Sequence, residues 1–350
     1  MERMDEGMPF LLNYENVAWY EGGAVRILDR RVYPTETRFV TCRSYREVRR
    51  AVADMVTQSA GPYTAVGMGM ALAAWESRTL SGEKRIAFLQ EAARELANSR
   101  PTAANRYGQI TFRAARLAEE ALNEGRDPVE AIVEATVESL NRRYSTMQQV
   151  GDALERLIPE GGGVLTQCFG ETIIGALIRA AKRTGKRFGV YCAETRPYLQ
   201  GARLTASCFV EAGFDTTVLT DNMIAWAMER GEISLFTSAA DTITLDGHIA
   251  NKVGSLQMAI LARHFGIPYY VTGIPDRDKP TKDSIVVEMR DPGQVLSFRG
   301  IPVCREGVKA LYPAFDIAPP PLITGIVTDR GVFVPGLVGR YYEQGEKTFY

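Results

Sequence analysis

The polar residues that follow apolar runs in this sequence include one thiol, Cys168, and several carboxyl groups, those of Glu194, Asp221 and Asp241. Cys168 stands in GVLTQCFGETI, where an apolar run gives way to a short turn and a helix-like stretch. A helix N-terminus can stabilise a thiolate, and a carboxyl group walled off from water can hold a proton near neutral pH. These residue types therefore indicate proton transfer to and from a bound substrate.

The candidate residues come directly after four predicted strands. Because the carboxyl ends of parallel strands meet at one edge of a sheet, we expect them to line one site. Taken singly, each has a structural alternative: a lone Cys is more often a packing residue, and a lone Asp at a strand end is more often a helix cap. The set is Gln167, Cys168, Glu194, Thr195, Arg196, Asp221, Asn222, Ala240 and Asp241.

The sequence lacks the residues that several other kinds of catalytic, cofactor or metal site require. Five scattered cysteines without a CxxC pair, and only His248 and His264, do not predict a disulfide framework or a metal site. GMGMALAA lacks the third glycine of a dinucleotide fingerprint, and no phosphate-binding P-loop is present. Neither histidine is placed for a Ser-His-Asp triad. We expect an enzyme site with no cofactor and no metal.

Two segments are candidates for binding phosphate. Arg100 precedes Pro101 in SRPTAAN, and Asn251 and Lys252 stand in HIANKVG. We predict that both segments begin helices, where free N–H groups and a basic side chain favour an anion. The alternatives are that Arg100 caps a surface helix and that Lys252 is simply solvated.

The predicted elements form two domains. NVAWY, EGG and AVRILD predict a β-hairpin, and helical periodicity in segments such as SYREVRRAVADMVTQS and EAIVEATVESL extends to about residue 158. Beyond it, six short runs rich in Val, Ile, Thr and Tyr alternate with helices such as ETIIGALIRAAKRTG and NKVGSLQMAILARHFG. We therefore predict an α/β fold, in which a doubly wound Rossmann-like parallel sheet domain (159–350) follows a small, mainly helical domain with a hairpin (1–158). The tail after about 335 is predicted to be an appendage.

Composition indicates a small-molecule partner. The 350 residues carry a net charge of −1, which provides no general attraction to nucleic acid or to an anionic membrane. No apolar stretch is long enough to span a bilayer, and the N-terminus MERMDEGMPF lacks the order of a secretory signal. We expect a cytoplasmic protein that binds neither nucleic acid nor membrane.

Several motifs identify a family. SRPTAAN, AETRPYLQGARLTA, LTDNMIAWAMERGEI, ANKVG, RHFGIPYYV and PAFDIAPPPLITGIVTDRG, in this order, resemble the S-methyl-5-thioribose-1-phosphate isomerases, which are related to the regulatory subunits of translation initiation factor 2B. The resemblance extends from the hairpin to about residue 333. It implies a homodimeric, cofactor-independent aldose–ketose isomerase of methionine salvage that acts on a phosphorylated pentose.

The resemblance also implies roles for individual residues. Cys168 matches the catalytic cysteine of the family, and Asp241, in SAADTI, matches its catalytic aspartate. The remaining matched positions, which hold substrate and phosphate, are Gly61, Tyr63, Arg100, Gln200, Asn251 and Lys252. Asp241 would protonate the ring oxygen as the ring opens, and Cys168 would act as a base or stabilise the transfer of hydrogen from carbon 2 to carbon 1.

The sequence departs from the family around the predicted phosphate site. The usual RGAPAIG loop is SAGPYTAVG here, with Ser59 and Ala60 where an arginine is expected. Gln167 replaces a common histidine, and Thr242 replaces an arginine. A related substrate, 5-deoxyribose 1-phosphate or ribose 1,5-bisphosphate, is therefore an alternative, as is a non-catalytic regulatory protein. Tyr63, Met68 and Tyr107 are candidate walls around carbon 5 of the sugar, although core packing is the commoner role of such residues.

Overall fold

The computed structural model describes residues 3–100 and 103–345, which form two compact units that divide between Ser145 and Thr146. This division falls within one long helix, whereas the predicted domain boundary at 158/159 coincides with the end of that helix. The helices of the first unit are α1 (Tyr14–Val17), α2 (Tyr45–Ala53), α3 (Gly61–Glu76), α4 (Gly82–Ala97), α5 (Ala104–Asn123) and α6 (Pro128–Leu157), the last of which continues into the second unit.

The core of the first unit is built around α3, which is apolar on nearly all sides and almost fully buried. Gly67 permits a close approach to α6, because a Cβ atom there would lie 2.8 Å from the side chain of Thr136. Met68 is completely buried, so packing accounts for this predicted wall residue. The GMGMALAA segment therefore lies inside a core helix.

A small antiparallel sheet accompanies these helices. Its strands are β1 (Ala18–Glu21), β2 (Ala24–Leu28) and β3 (Phe39–Cys42), in the order β1-β2-β3. The β1–β2 hairpin turns at Gly22 and Gly23, which both have positive φ. The third strand carries no strong signal in the sequence, because its burial does not alternate.

The main sheet of the second unit contains, among the described residues, seven strands in the order β15-β14-β10-β7-β4-β5-β6. Six of them are parallel, and β15 pairs with β14 in the antiparallel sense at one edge. The parallel strands correspond to the six apolar runs of the sequence. Their bounds are β4 (Gly163–Thr166), β5 (Gly189–Ala193), β6 (Thr216–Leu219), β7 (Leu235–Ala239), β10 (Tyr269–Thr272) and β14 (Gly325–Thr328), with β15 at Gly331–Phe333.

Helices cover both faces of this sheet. They are α7 (Glu171–Thr184), α8 (Ala206–Glu211), α9 (Ile224–Glu229) and α10 (Ser255–His264), and a further short helix, α11 (Gly293–Leu296), precedes the strand that begins at Ser297. Leu177 of α7 and Phe209 of α8 pack beside Val164 on one face. On the other face, α9 and α10 contribute to the core cluster that contains Leu165 and Phe236. The second unit is therefore a mixed, mostly parallel α/β sheet of the doubly wound type.

Strand order reverses at the boundary between β4 and β7. The chain leaves β4 toward β5 and β6, then returns to place β7 on the other side of β4. Thr166 of β4 pairs with Thr237 of β7, so the loops after both strands leave the sheet side by side. Loops diverge at such a switch point and leave room for a ligand.

Two parts of the second unit differ from the sequence-based prediction. The segment 249–252 is a strand, β9 (Ile249–Lys252), between β8 (Thr242–Ile243) and β13 (Phe315–Ala318), rather than the start of a helix. The prediction of an appendage after 335 is wrong for Pro335–Gln344, a 3-10 stretch whose Val338 and Tyr341 are buried. The remaining strands, β11 (Ser297–Phe298) and β12 (Ile301–Pro302), form a short hairpin.

Candidate functional site

Cys168 lies just beyond the end of β4, in a backbone conformation that only glycine adopts freely. Its φ is +62°, in the left-handed region. The Cys168 N–H donates to Thr195 Oγ1 at 3.0 Å, and Thr205 Oγ1 donates to the Cys168 carbonyl oxygen. Both threonines are fully buried. The two side chains hold the peptide groups around Cys168 in a strained geometry, which is typical of functional sites.

The loop after β5 is held by a carboxylate. Thr195 also has a positive φ, +66°, and Asp221 accepts from the N–H groups of Thr195 (2.9 Å) and Arg196 (2.7 Å). The Arg196–Pro197 peptide bond is cis. Both oxygens of Asp221 are therefore used in fixing the backbone of this loop, so its role is structural, although it is not the helix cap given as the alternative. Among the residues predicted to follow the strands, Thr195 and Asp221 therefore hold the backbone around Cys168 and are not placed to contact a substrate.

We expect Thr195→Val to destabilise the fold by about 1–3 kcal/mol, because the isosteric side chain leaves the N–H of Cys168 without an acceptor in a buried site. It should also lower kcat more than it changes KM, because the thiol loses its fixed position. Urea unfolding and steady-state kinetics measure the two effects. Thr220→Val is the matched control, since the Thr220 hydroxyl donates to Asn222 near the surface; equal losses in both variants would contradict the role assigned to Thr195.

Burial controls the protonation of the Cys168 thiol. It raises the pKa of Cys168 to about 11, although the nearby charge of Lys252 acts in the opposite direction. Asp241 also lies near enough to raise the pKa of the thiol. The expectation that the adjacent helix N-terminus favours the thiolate is therefore wrong for the free protein, because desolvation is the larger effect. At neutral pH the side chain is a neutral thiol.

The rate at which iodoacetamide alkylates Cys168 should rise about tenfold per pH unit between pH 7 and 9, since only the thiolate reacts and its fraction grows below the pKa. Lys252→Met should slow the reaction further, because loss of the positive charge raises the pKa of the thiol. Mass spectrometry of the Cys168 peptide measures the rate, with the exposed Cys304 as the internal reference. A rate independent of pH over this range would mean that the thiolate is already formed.

Lys252 is a buried cation beside the thiol. Its side chain is almost inaccessible, and burial lowers its pKa. Its Nζ lies 5.3 Å from the ring centroid of Phe315 and 6.0 Å from that of Tyr312, and it makes no ion pair within the described residues. Arg290 stands against the same two rings and pairs with Glu288 at 3.0 Å. The carboxylates of Asp241 and Glu288 also act on Lys252, but Lys252 forms no ion pair with either, so its ammonium group is available to an anion.

Asn251 belongs to a buried hydrogen-bond network beneath the Cys168 loop. Asn251 Nδ2 donates to Ser255 Oγ at 2.9 Å, Ser255 Oγ donates to Gln167 Oε1, and Gln167 Nε2 donates to the Val253 carbonyl oxygen at 2.9 Å. This network joins the residue before Cys168 to the loop before α10. Gln167, where the family often has a histidine, therefore has a structural role here.

The prediction that Asn251 and Lys252 begin a helix is wrong. Both lie on β9, and α10 begins at Ser255. The start of that helix is also occupied, because Asp316 accepts from the N–H groups of Gly254 (2.6 Å) and Leu256 (2.9 Å). An anion at this site would therefore be bound by side chains and not by the N–H groups of α10.

Asp241 follows β7, on the strand next to that of Cys168. Its N–H donates to the Ala250 carbonyl oxygen at 2.9 Å, which links the end of β7 to β9. Its side chain is exposed, so the expectation of a carboxyl group walled off from water is wrong for the free chain. Asp241 and Cys168 nevertheless lie close enough for the charge of the aspartate to act on the thiol.

Gln200 is buried at the start of a π-helical turn, Gly201–Thr205, whose last residue holds the Cys168 carbonyl. Gly201 is required for this approach, because a Cβ atom there would lie 1.8 Å from the Ala193 carbonyl oxygen. The turn thus packs directly on the end of β5. The structure brings Cys168, Asp241 and Lys252 together, with Gln200 and Asn251 in the elements that support them.

Three predicted site residues belong to the first unit. Gly61 is the first residue of α3, and a Cβ atom there would lie 2.1 Å from Thr57 Oγ1. Arg100 donates to the carbonyl oxygens of Val52 (2.9 Å) and Thr57 (2.8 Å), so its guanidinium braces the segment before α3. Tyr63 packs edge-on against the buried Tyr107 at 5.5 Å. Pro101 and Thr102 of the SRPTAAN motif lie outside the described residues.

Sequence reasoning missed Arg290, Tyr312, Ser255 and Thr205. Arg290 and Tyr312 come from segments without hydrophobic periodicity, and only the fold places them beside Lys252. Thr205 lies within the motif AETRPYLQGARLTA. Its hydrogen bond to the backbone of Cys168, 37 positions away, could not be predicted, because a threonine inside a helical segment has no pattern that indicates such a contact. Within residues 3–100 and 103–345, every helix is too short or too polar to span a lipid bilayer.

The chain resembles known proteins over most of its length. The model of the initiation factor 2 subunit family matches residues 63–335. The methylthioribose-1-phosphate isomerase of Chloroflexus aurantiacus is 36% identical over 334 residues, which cover 91% of this chain and 94% of the relative. That of Pelotomaculum thermopropionicum is 36% identical over 334 residues, covering 92% and 91%.

Solved structures give the same result. The crystal structure of 5-methylthioribose 1-phosphate isomerase from Pyrococcus horikoshii OT3 superimposes with a TM-score of 0.80 at 28% identity, covering 95% of this chain and 97% of that one. Subunit delta of translation initiation factor eIF-2B from A. fulgidus gives a TM-score of 0.78 at 28% identity, with coverages of 94% and 97%. The chain belongs to the initiation factor 2 subunit family and, within it, is an enzyme, an aldose–ketose isomerase.

Proposed function

We propose that the chain converts S-methyl-5-thioribose 1-phosphate to S-methyl-5-thioribulose 1-phosphate, with Cys168 and Asp241 as its catalytic residues. The observation that carries this proposal is the position of a thiol and a carboxylate after the neighbouring strands β4 and β7, beside a buried lysine without an ion pair among the described residues. The curated relatives are named for this substrate.

The phosphate of the substrate would lie against Lys252 and Arg290. A phosphate dianion offers each cation a charge-assisted hydrogen bond, and the buried position of Lys252 strengthens the interaction. Both cations lie against the aromatic rings of Phe315 and Tyr312, which brings them close to each other. Asn251 and Gln200 complete the proposed binding set of the second unit, and the substrate-binding roles of Gly61, Tyr63 and Arg100 remain predictions from the resemblance.

Ring opening requires an acid. Because phosphate occupies the anomeric oxygen, the ring cannot open to a free aldehyde spontaneously. Asp241 donates a proton to the ring oxygen as the bond from carbon 1 to that oxygen breaks, and carbon 1 becomes electron-deficient. A positioned acid contributes about 10²–10⁴-fold to such a step.

Hydrogen then moves from carbon 2 to carbon 1. In a proton route, the Cys168 thiolate removes the proton from carbon 2, and the electron pair forms the carbon 1–carbon 2 double bond of an enediol phosphate. The thiol then returns a proton to carbon 1, and the hydroxyl on carbon 2 loses its proton to Asp241 as the ketone forms. In a hydride route, hydrogen moves with its electron pair directly to carbon 1, the hydroxyl on carbon 2 loses its proton, and Cys168 remains neutral. Both routes yield the same ketose.

Purified protein should convert S-methyl-5-thioribose 1-phosphate to the ketose, followed by NMR, with a higher kcat/KM than for 5-deoxyribose 1-phosphate or ribose 1,5-bisphosphate. A clear preference for one of the other two would reassign the substrate, since the departures from the family lie around the phosphate loop. Absence of turnover with all three, together with tight binding to a protein partner, would favour a regulatory protein similar to subunit delta.

We further propose a homodimer formed through the segment 286–311. This segment exposes a set of large apolar side chains, and such a patch on a water-soluble chain is typical of a protein interface. A second copy of the chain is the proposed occupant, because Arg290, beside the thiol, comes from the same segment. The exposed residues are Val286, Met289, Phe298, Ile301, Val303, Val308 and Leu311.

Leu311→Asp should shift the protein from dimer to monomer in sedimentation velocity, because Leu311 is 80% exposed in the single chain and a buried carboxylate would oppose association. Activity should fall with dissociation, since this segment carries Arg290. Val210→Asp, an equally apolar exposed position on α8, is the control and should remain dimeric. A wild-type protein that sediments as a monomer would overturn this proposal without affecting the proposed reaction.

A further inference from the structure

The first unit contains a cavity whose lining includes neither of the proposed catalytic residues. It is a cleft among α3, α5 and α6 that opens to solvent, and the empty space of about 450 Å³ at this position includes some of that solvent. One wall is apolar and the other carries two arginines. The apolar lining is Ile110, Ala114, Leu117, Ile132, Ala135 and Leu140, and the polar lining is Tyr63, Thr64, Arg113, Thr136, Ser139 and Arg143.

Arg143 is the buried member of this lining. Only 3% of it is exposed, and its Nε has no hydrogen-bond partner. Its remaining contacts are weak: Nη2 lies 3.5 Å from Thr64 Oγ1, and the guanidinium lies 5.5 Å from the Tyr63 ring centroid. A structural arginine that is this deeply buried normally pairs with a carboxylate or with several carbonyl oxygens.

Arg113 and Arg142 add to the positive charge. In Arg142, Nε and Nη2 are buried without a partner. The charge of Arg113 lies close enough to lower the pKa of Arg142, an effect second only to burial. In the part of the chain that the structure describes, Arg113, Arg142 and Arg143 make no ion pair within 4.0 Å. Glu138 is near enough to act on Arg142 but forms no ion pair with it among the described residues, so the positive charge of the three arginines is only partly balanced and favours an anion.

We propose that this cavity binds a small organic anion that carries a phosphate or carboxylate head on an apolar body. The head would lie against Arg113 and Arg143, whose planar guanidinium groups suit either anion, and the body would lie against the apolar wall at Ile110, Leu117 and Leu140. The inference goes beyond the proposed reaction, because every lining residue belongs to the first unit, and Tyr63 is the one lining residue that also has a predicted role in substrate binding.

The test is calorimetric titration of the full-length protein with phenyl phosphate, in the wild type and in Lys252→Met, in which the proposed substrate phosphate site is removed. Both proteins should bind phenyl phosphate. Inorganic phosphate, which lacks the apolar body, and benzyl alcohol, which lacks the charge, should each bind at least about tenfold more weakly. Benzoate in place of phenyl phosphate distinguishes a carboxylate site from a phosphate site.

Arg113→Met should weaken binding of phenyl phosphate at least about tenfold, whereas Arg116→Met, an exposed neighbour on α5, should leave it unchanged. Arg113→Met should not lower the melting temperature of the apo protein, because it relieves repulsion with Arg142; a structural arginine would behave oppositely. Arg143→Met is the second variant, with the same expected loss of affinity. Equal affinity in Arg113→Met and Arg116→Met, or loss of binding in Lys252→Met, would overturn the proposal.

Discussion

Cys168→Ser is expected to lower kcat/KM for the sugar phosphate by at least about 10²-fold while leaving the melting temperature nearly unchanged. The backbone at position 168 is held by Thr195 and Thr205 and not by the thiol, so serine should occupy the same conformation. Its hydroxyl is a far weaker acid than a thiol and a poorer stabiliser of developing charge, and loss of a positioned proton-transfer group typically costs about 10²–10⁴-fold.

Steady-state kinetics and thermal unfolding measure the two effects. Cys304→Ser is the matched control, because Cys304 is exposed and should change neither quantity. Nearly full turnover in Cys168→Ser would mean that the cysteine is a packing residue. A loss of activity with an equal loss of stability would assign it a structural role.

Product formed in D₂O distinguishes the two hydrogen-transfer routes. The proton route allows exchange with solvent and predicts deuterium at carbon 1, whereas the hydride route predicts none. Forming a thiolate at pH 7.5 from a group whose pKa is about 11 would cost about 5 kcal/mol, at about 1.36 kcal/mol per pKa unit. The raised pKa of Cys168 therefore opposes formation of the thiolate that the proton route needs, and the deuterium content of the product decides between the routes.

The second large effect is expected for Asp241→Asn, which should lower kcat by about 10²–10⁴-fold with a small change in KM. Asparagine has nearly the same shape but cannot donate a proton to the ring oxygen. Because Asp241 is exposed, the substitution should leave stability within about 0.5 kcal/mol of the wild type.

Rapid-quench measurement of the chemical step, with KM from initial rates, tests this expectation. Asp278→Asn, at another exposed position of the same unit, is the control. A variant that retains kcat but loses affinity would make Asp241 a binding residue, and the acid would then have to be sought elsewhere, the protonated thiol of Cys168 being the first candidate.

Local patterns were sufficient to predict the six parallel strands of the main sheet, but not its antiparallel edge strand β15. The central parallel strands are short runs of β-branched and apolar residues bounded by turns, because a strand buried on both faces leaves a continuous apolar signal. Helix α7 was also recognisable, since Gly185 at φ +76° ends it as the sequence indicated. The third strand of the first unit lacked this signal, because it is only four residues long and its burial neither alternates nor is continuous.

The details of the site depended on tertiary structure. ANKVG contains residues that suit a helix start, but pairing with β13 makes Asn251 and Lys252 part of a strand. The pKa of Cys168 could not be predicted either, because the helix N-terminus is visible in the sequence and the burial is not. Arg290 has no pattern of its own, so its position beside Lys252 follows only from the fold.

The hydrogen bonds that hold residue 168 have a consequence for the history of the fold. Since Thr195 and Thr205 contact only the main chain there, the side chain can be exchanged with little effect on the surrounding architecture. After a gene duplication, one copy could therefore lose its catalytic activity through a single substitution at position 168 and keep the fold as a non-catalytic protein. The TM-scores of this chain with an isomerase and with an initiation-factor subunit are nearly equal, 0.80 and 0.78. Such similarity is expected if the fold is kept when the catalytic activity is lost.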